Sequence, residues 1–212
     1  MTTSETAPQT ASQVAEEQSA ENASTAGLRV VDGVALPAAG TYVLDPTHTR
    51  IGFVARHLMV TKVRGSFGEF TGSITVGEDA KGSTAEAVIK TASVDTGTAD
   101  RDAHLRSDDF FASETFPDMT FGNARVTGQK GASFTVVGDL TIKDVTREVT
   151  LDVELDGVAK DPWGNEKLAV TATTEIDRED FGLTWNVALE SGGVLVSKKV
   201  RIEIEAQAAR QA

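Results

Sequence analysis

The sequence predicts an all-β fold: an antiparallel sheet closed into a barrel of about eight strands, with one short helix at a barrel end. Three observations predict it. From Thr41 onward, apolar and polar residues alternate with period two through most of the chain. Turn-forming clusters separate the alternating runs, as hairpins require. A single stretch, 98–112, breaks the rhythm and reads as helix.

Taken in order, residues 1–26 hold Thr, Ser, Ala, Gln and Glu with a single valine, Val14. They cannot bury enough apolar surface to offset ordering entropy, so a disordered tail is expected. A short helix over 11–22 is the alternative. Residues 27–40 form a lead-in with a short strand. The barrel domain spans 41–208, and 209–212 are a C-terminal tail.

Asp45-Pro46-Thr47-His48-Thr49 makes a turn into a strand in which Ile51, Phe53 and Ala55 alternate with Arg50, Gly52 and Arg56. Ala85, Ala87 and Ile89 repeat the pattern, as do Phe134, Val136, Gly138, Leu140 and Ile142. Val149 to Leu155, Leu168 to Ala172 and Val200 to Ala206 follow it too. Strict alternation marks strands with one apolar and one wetted face, whereas a parallel α/β sheet shows continuous apolar runs. Between them lie Val76-Gly77-Glu78-Asp79, Thr127-Gly128-Gln129-Lys130-Gly131, Asp161-Pro162-Trp163-Gly164-Asn165 and Ser191-Gly192-Gly193. Several strands exceed the usual ~5–6 residues, and long one-faced strands remove their edges by closing. The helix is expected to run three turns, Thr98 to Ala112. Asp100 and Asp102 suit its positive N-terminal end, and Phe110-Phe111 anchor it against a barrel opening.

The formal charge is −12, with 32 acidic against 20 basic residues. Such a chain repels phosphate backbones, and the longest basic run is Lys198-Lys199 with Arg201 after one valine. Nucleic acid is therefore not an expected partner. There is no cysteine, which excludes disulfides and thiolate metal sites. No apolar run approaches the ~20 residues that span a bilayer as a helix. The N-terminus carries no basic and apolar signal pattern, so a cytoplasmic location is expected.

Two Trp, one Tyr and nine Phe are the only aromatics, and the inward positions lean to Ala, Gly, Val, Ile and Leu. Small side chains leave an eight-stranded barrel room for one ligand. A solid core and a two-sheet sandwich fit the same alternation, and periodicity does not separate them.

Nine motifs in order resemble one family. They are Tyr42-Val43-Leu44-Asp45-Pro46-Thr47-His48-Thr49, Ile51-Gly52-Phe53 with His57, Val63-Arg64-Gly65-Ser66-Phe67, Phe70-Thr71-Gly72 and Arg101-Asp102-Ala103-His104-Leu105 with Asp109-Phe110-Phe111. Phe116-Pro117-Asp118-Met119-Thr120-Phe121, Gly138-Asp139-Leu140-Thr141-Ile142, Asp161-Pro162-Trp163-Gly164 and Arg178-Glu179-Asp180-Phe181-Gly182 complete the set. The chain resembles the YceI-like family of lipid-binding proteins from about Tyr42 to Ala206. The resemblance implies a lipocalin-like antiparallel barrel whose elongated apolar cavity binds a polyisoprenoid chain, isoprenoid quinones and related prenyl lipids included. It implies no catalytic activity and no cofactor beyond the lipid. Many relatives look exported, whereas this chain begins with an acidic, polar tail.

The chemistry fits that implication. A prenyl chain is hydrocarbon, and its burial gains roughly 0.8 kcal/mol per CH₂-sized unit. The expected ligand-facing residues are Phe53, Ala55, Met119, Phe121, Val136, Leu140, Val170 and Ile202, with His57 near a head group and Trp185 at a barrel mouth. The expected gate is Leu105, Phe110 and Phe111 on the helix with Phe181 in the loop 178–186. The expected partners are the lipid and, transiently, a membrane; a homodimer is left open.

The polar residues read mostly as structure. His48 sits in a turn beside Asp45, and His104 lies at the barrel end. No histidine pair has the spacing of a zinc helix, so no metal site is expected. Arg64, Arg101 and Arg178 each have two readings, an ion pair or a ligand head, and the ion pair is preferred. Trp163, after a turn proline, is expected to be a packing plug. Two rival functions remain: an enzyme for a small apolar substrate with His57 or His48 as general base, and a solid-core stress-response protein acting through its surface.

Overall fold

A computed structural model describes residues 29–31, 34–190 and 193–211. The tail expected over 1–26 lies outside them. The described strands are β1 (Arg29–Val31), β2 (Val34–Leu36), β3 (Gly40–Leu44), β4 (Arg50–His57), β5 (Thr61–Phe67), β6 (Phe70–Val76), β7 (Thr84–Lys90) and β8 (Val94–Asp95). After the helix α1 (Ala99–Arg106) come β9 (Asp118–Lys130), β10 (Ser133–Ile142), β11 (Val145–Lys160), β12 (Glu166–Asp177) and β13 (Lys199–Arg210).

Eight of these strands close a barrel. The antiparallel circuit runs β13-β12-β11-β10-β9-β7-β6-β3 and returns to β13. One edge of β13 serves two partners in succession: Ala208–Arg210 pair with β3, and Arg201–Glu205 pair with β4. Strands β4, β5 and β8 therefore continue the wall past the point where β3 stops. The alternation sets the phase throughout. Val136 faces Leu151 across β10 and β11, and Val170 faces Ala206 across β12 and β13. At Asn123 (φ 49°) β9 bulges and shifts register against β10, so Phe121 and Ala124 both end up inward.

Two expectations are corrected here. β13 runs on through Arg210, with Ala209 and Arg210 paired to Val43 and Tyr42; residues 209–210 are barrel wall, not tail. The helix has eight residues, not three turns. Ser107 ends it, its backbone N–H and hydroxyl both donating to the His104 carbonyl. Residues 107–112 then coil back, closed by Phe111 N–H to Leu105 O and Ala112 N–H to Ser107 O, with Ala112 at φ 48°. The physical reason lies in Phe110-Phe111. Neighbouring residues on a helix point about 100° apart, so a continued helix could not bury both rings in one place; the coil does.

The barrel has two unlike ends. The helix end carries α1, the segments 178–190 and 193–198, and the β4–β5 hairpin. The other end carries the β6–β7 and β11–β12 turns and the β1–β2 hairpin. A large apolar cluster fills the helix end: Phe67, Phe110, Phe111, Met119, Leu140 and Phe181 are buried in it, with Phe53 and Ile202 packed alongside. A small cluster of Tyr42, Val76, Leu168 and Ala208 sits at the other end.

Candidate functional site

Between the two clusters the barrel is hollow. A cavity of about 210 Å³ lies between β3, β6, β7 and the strands β9 to β13. Its walls are Leu, Ile, Val and Phe side chains, widened by Ala85, Ala87, Ala172 and Ala206. Polar lining is limited to Ser73, Ser83, Thr84 and Glu86, on β6, β7 and the turn that joins them. Phe121 floors it. An ideal Cβ at Gly138 would stand 2.5 Å from the Phe121 ring, so the ring lies flat across that glycine. Gly65 takes the Phe53 ring in the same way, 2.4 Å from its ideal Cβ. These close approaches explain glycines at two inward strand positions.

The mouth is partly covered. Leu36, the last residue of β2, and Pro37 after it, both buried, line the cavity. This strap is pinned from below. The Ala38 N–H donates to Glu166 Oε1 at 3.0 Å. The Tyr42 hydroxyl lies against the Ala38 carbonyl at 2.9 Å and makes a short hydrogen bond to the same Glu166 oxygen. Arg210 Nη2 donates to the Ala39 carbonyl at 2.7 Å. Glu166 is itself buried, a carboxylate tolerated there because donors meet it. Burial, then the Glu166 carboxylate, raises the Tyr42 hydroxyl's pKa and keeps it protonated.

The helix end is plugged. Phe111 meets Phe67 edge-on at 5.6 Å between ring centroids. His104 stands between Phe110 (5.1 Å) and Trp185 (4.6 Å) and pairs with Asp109 at 2.8 Å. Buried Asp102 accepts from the Thr96 N–H (2.8 Å) and hydroxyl (2.6 Å), tying α1 to the strand before it. Arg178 is buried; its Nε donates to the Ser197 carbonyl at 3.0 Å and its Nη1 to the Leu183 carbonyl. Burial lowers its pKa, opposed by Glu179 and Asp177.

The structure thus separates the residues singled out from sequence. Phe121, Val136 and Val170 line the cavity. Met119, Leu140, Phe53 and Ile202 belong to the helix-end cluster beneath it. Ala55 shares the inward phase of β4 but is not on the lining, and His57 ends that strand in a bridge to Val196. Trp185, Leu105, Phe110, Phe111 and Phe181 all sit in the plug. Arg64 pairs with Glu203 at 2.9 Å, as expected of an ion pair, whereas Arg101 bonds the Thr96 and Thr98 oxygens and Arg178 bonds carbonyls. Trp163 corrects the packing-plug expectation: it is 84% exposed. Asp161 accepts from the Trp163 and Asn165 N–H groups, so the turn's bonds are made locally and hold the ring outward. His48 pairs with Asp45 on the surface. Among the described residues no cluster of three or more His, Cys, Asp and Glu could hold a metal.

Sequence reasoning missed Leu36, Pro37, Glu166 and Tyr42 as a unit. No period joins them, since the strap is short and its pin comes from a strand more than a hundred residues away.

A profile of the YceI-like domain matches residues 42–208. The chain belongs to the YceI-like family. A relative in Staphylococcus aureus strain N315, UPF0312 protein SA2479, is 42% identical over 169 residues, 78% of this chain and 95% of that one. The Campylobacter jejuni YCEI protein crystal structure is 31% identical, with a TM-score of 0.64, covering 74% of this chain and 90% of that one. Burkholderia cenocepacia BcnA shares the fold at 23% identity, with a TM-score of 0.66 over 78% of this chain and 99% of that one. A polyisoprenoid binding domain from Saccharophagus degradans, implicated in plant cell wall breakdown, shares it at 19% identity and a TM-score of 0.55, over 80% of this chain and 98% of that one.

Proposed function

We propose that this YceI-like barrel binds the hydrocarbon chain of an isoprenoid lipid and carries or sequesters it. The single observation that carries the reading is the strap-covered apolar cavity, whose few polar lining groups lie on β6, β7 and their turn. Apolar cavities stay dry and take apolar guests; one of about 150 Å³ accepts benzene. At about 210 Å³ the cavity admits a short apolar segment, on the order of one or two isoprene units. A longer chain extends out through the mouth beside the strap. The polyisoprenoid binding of the Saccharophagus domain supports the choice of a prenyl chain over other apolar guests.

The polar head of such a lipid, a quinone ring or an alcohol, stays at the mouth. Nothing deeper in the lining would satisfy it, and an unpartnered polar group costs several kcal/mol to bury. The exchange route is the strap rather than the helix. Freeing Phe110, Phe111 and Phe181 costs roughly 5–9 kcal/mol at about 1.5–3 per ring, before the bonds of Asp102 and Arg101 are broken. Freeing the strap exposes Leu36 and Pro37 and breaks two hydrogen bonds, Ala38 N–H to Glu166 and Arg210 to the Ala39 carbonyl, worth about 1.5–3 kcal/mol each because a charged group takes part.

The test is a fluorescent prenyl probe displaced by unlabelled prenyl alcohol. Ala206→Trp, on the wall, is expected to abolish probe binding while costing less than the ~1–3 kcal/mol of an overpacked core. Thr171→Trp, on the outer face, is expected to leave binding intact. Undiminished binding in Ala206→Trp would place the ligand elsewhere.

A further inference from the structure

We infer that the outer wall formed by β13, β4 and β5, with the tip of the β4–β5 hairpin, is a docking face for an anionic lipid bilayer. The inference stands whether or not the cavity holds a prenyl chain.

The first observation is charge. The chain is strongly acidic at −12, yet residues 46–68 contain Arg50, Arg56, Lys62 and Arg64 and no Asp or Glu. The fold lays this stretch against Lys199 and Arg201 of β13. In the register, Arg201 is opposite Val54, Val54 opposite Arg64, and Arg56 opposite Lys62. All six cations are on the solvent face and exposed. Glu203 pairs with both Arg64 and Arg201, Glu205 is opposite Arg50, and across β12 Glu175 is opposite Arg201 and Asp177 opposite Lys199, so the positive charge is concentrated in Arg56 and Lys62 on the hairpin stem. Arg56 directly opposite Lys62 is a like-charge pair, which weakens a sheet.

The second observation is the tip. His57 O accepts from the Val60 N–H at 3.1 Å, closing a turn with Leu58 and Met59 at its centre, within the three-residue loop between His57 and its partner Thr61. Both have positive φ, 53° and 57°. Such turns favour Asn-Gly, and large side chains there are strained. Here they are large, apolar and exposed: Leu58 43%, Met59 53% and Val60 76%. An exposed apolar tip on a cationic stem matches a surface with negative head groups and a hydrocarbon interior. A nucleic acid would use the charges but leave the tip in water. A barrel resting on this wall lies along the surface, with both ends within reach of the bilayer.

The test is flotation of the full chain with vesicles of phosphatidylcholine alone, or of phosphatidylcholine with phosphatidylglycerol, at low ionic strength. Binding is expected only with phosphatidylglycerol present. Val60→Asp and the double change Arg56→Glu with Lys62→Glu should each weaken it at least tenfold. Met59→Gly should raise thermal stability, because glycine accepts the positive φ, and still weaken binding. Trp163→Ala, at the far end, should change nothing. Three results would overturn the inference: no flotation with either vesicle, loss in Trp163→Ala with the hairpin variants intact, or heparin binding as tight as vesicle binding and indifferent to Val60→Asp.

Discussion

Glu166 is the residue on which closure of the mouth depends. Its carboxylate accepts from the strap backbone at Ala38 and from buried Tyr42. Glu166→Ala leaves the half-buried Ala38 N–H without its partner, a loss of about 1 kcal/mol that urea denaturation would measure. Release of a bound prenyl probe should quicken in the same variant; unchanged release would mean the strap does not control exchange. Asp45 predicts a pH dependence. Hydrogen bonds from Thr47, then His48, hold its carboxyl at about 2 against an ordinary 3.8. A pKa depressed by folding stabilises the fold above the unfolded value and stops doing so as pH falls through the folded one. Stability should therefore decline between about pH 4 and 2, and Asp45→Asn should flatten that part of the profile. Alternation made Phe121, Val136 and Val170 legible, because each sits mid-strand. It had no purchase on Leu36, which lies on a three-residue strand, or on Trp163, whose turn has no period at all.

At the scale of elements, the break in rhythm after β8 locates α1 but not its end, because acidic residues and aromatics are compatible with helix continuation. Only packing decided that 107–112 must coil to bury Phe110 and Phe111 together. Phe111→Ala should then destabilise the protein by ~3–5 kcal/mol, read by denaturant titration, without reducing probe affinity in the folded fraction. Hydrogen exchange should show the same division: added prenyl lipid slows the strap, 34–39, more than α1. Greater slowing in α1 would return the gate to the helix end. The β9–β10 pair offers another check. Gly138→Ala drives a methyl into the Phe121 ring and against the Gly122 carbonyl, so stability and probe affinity should both fall.

Across the whole molecule, the solid-core and hollow-barrel readings each describe half of the barrel. Period-two alternation continues unchanged from one half to the other, because it reports only which face is apolar. What differs is side-chain size: phenylalanines and Leu140 below, alanines above, brought together from strands far apart in sequence. The sheet's closure through β13 could not be read either, since one strand edge serves both β3 and β4. The central claim is that the hollow half is filled by a prenyl chain in the cell. Native mass spectrometry of the full chain, purified without detergent and followed by solvent extraction, tests it most directly. A bound, extractable species with isoprene mass spacing is expected in the unmodified protein and not in Ala206→Trp. A bare protein mass that stays bare after incubation with prenyl alcohol would contradict it.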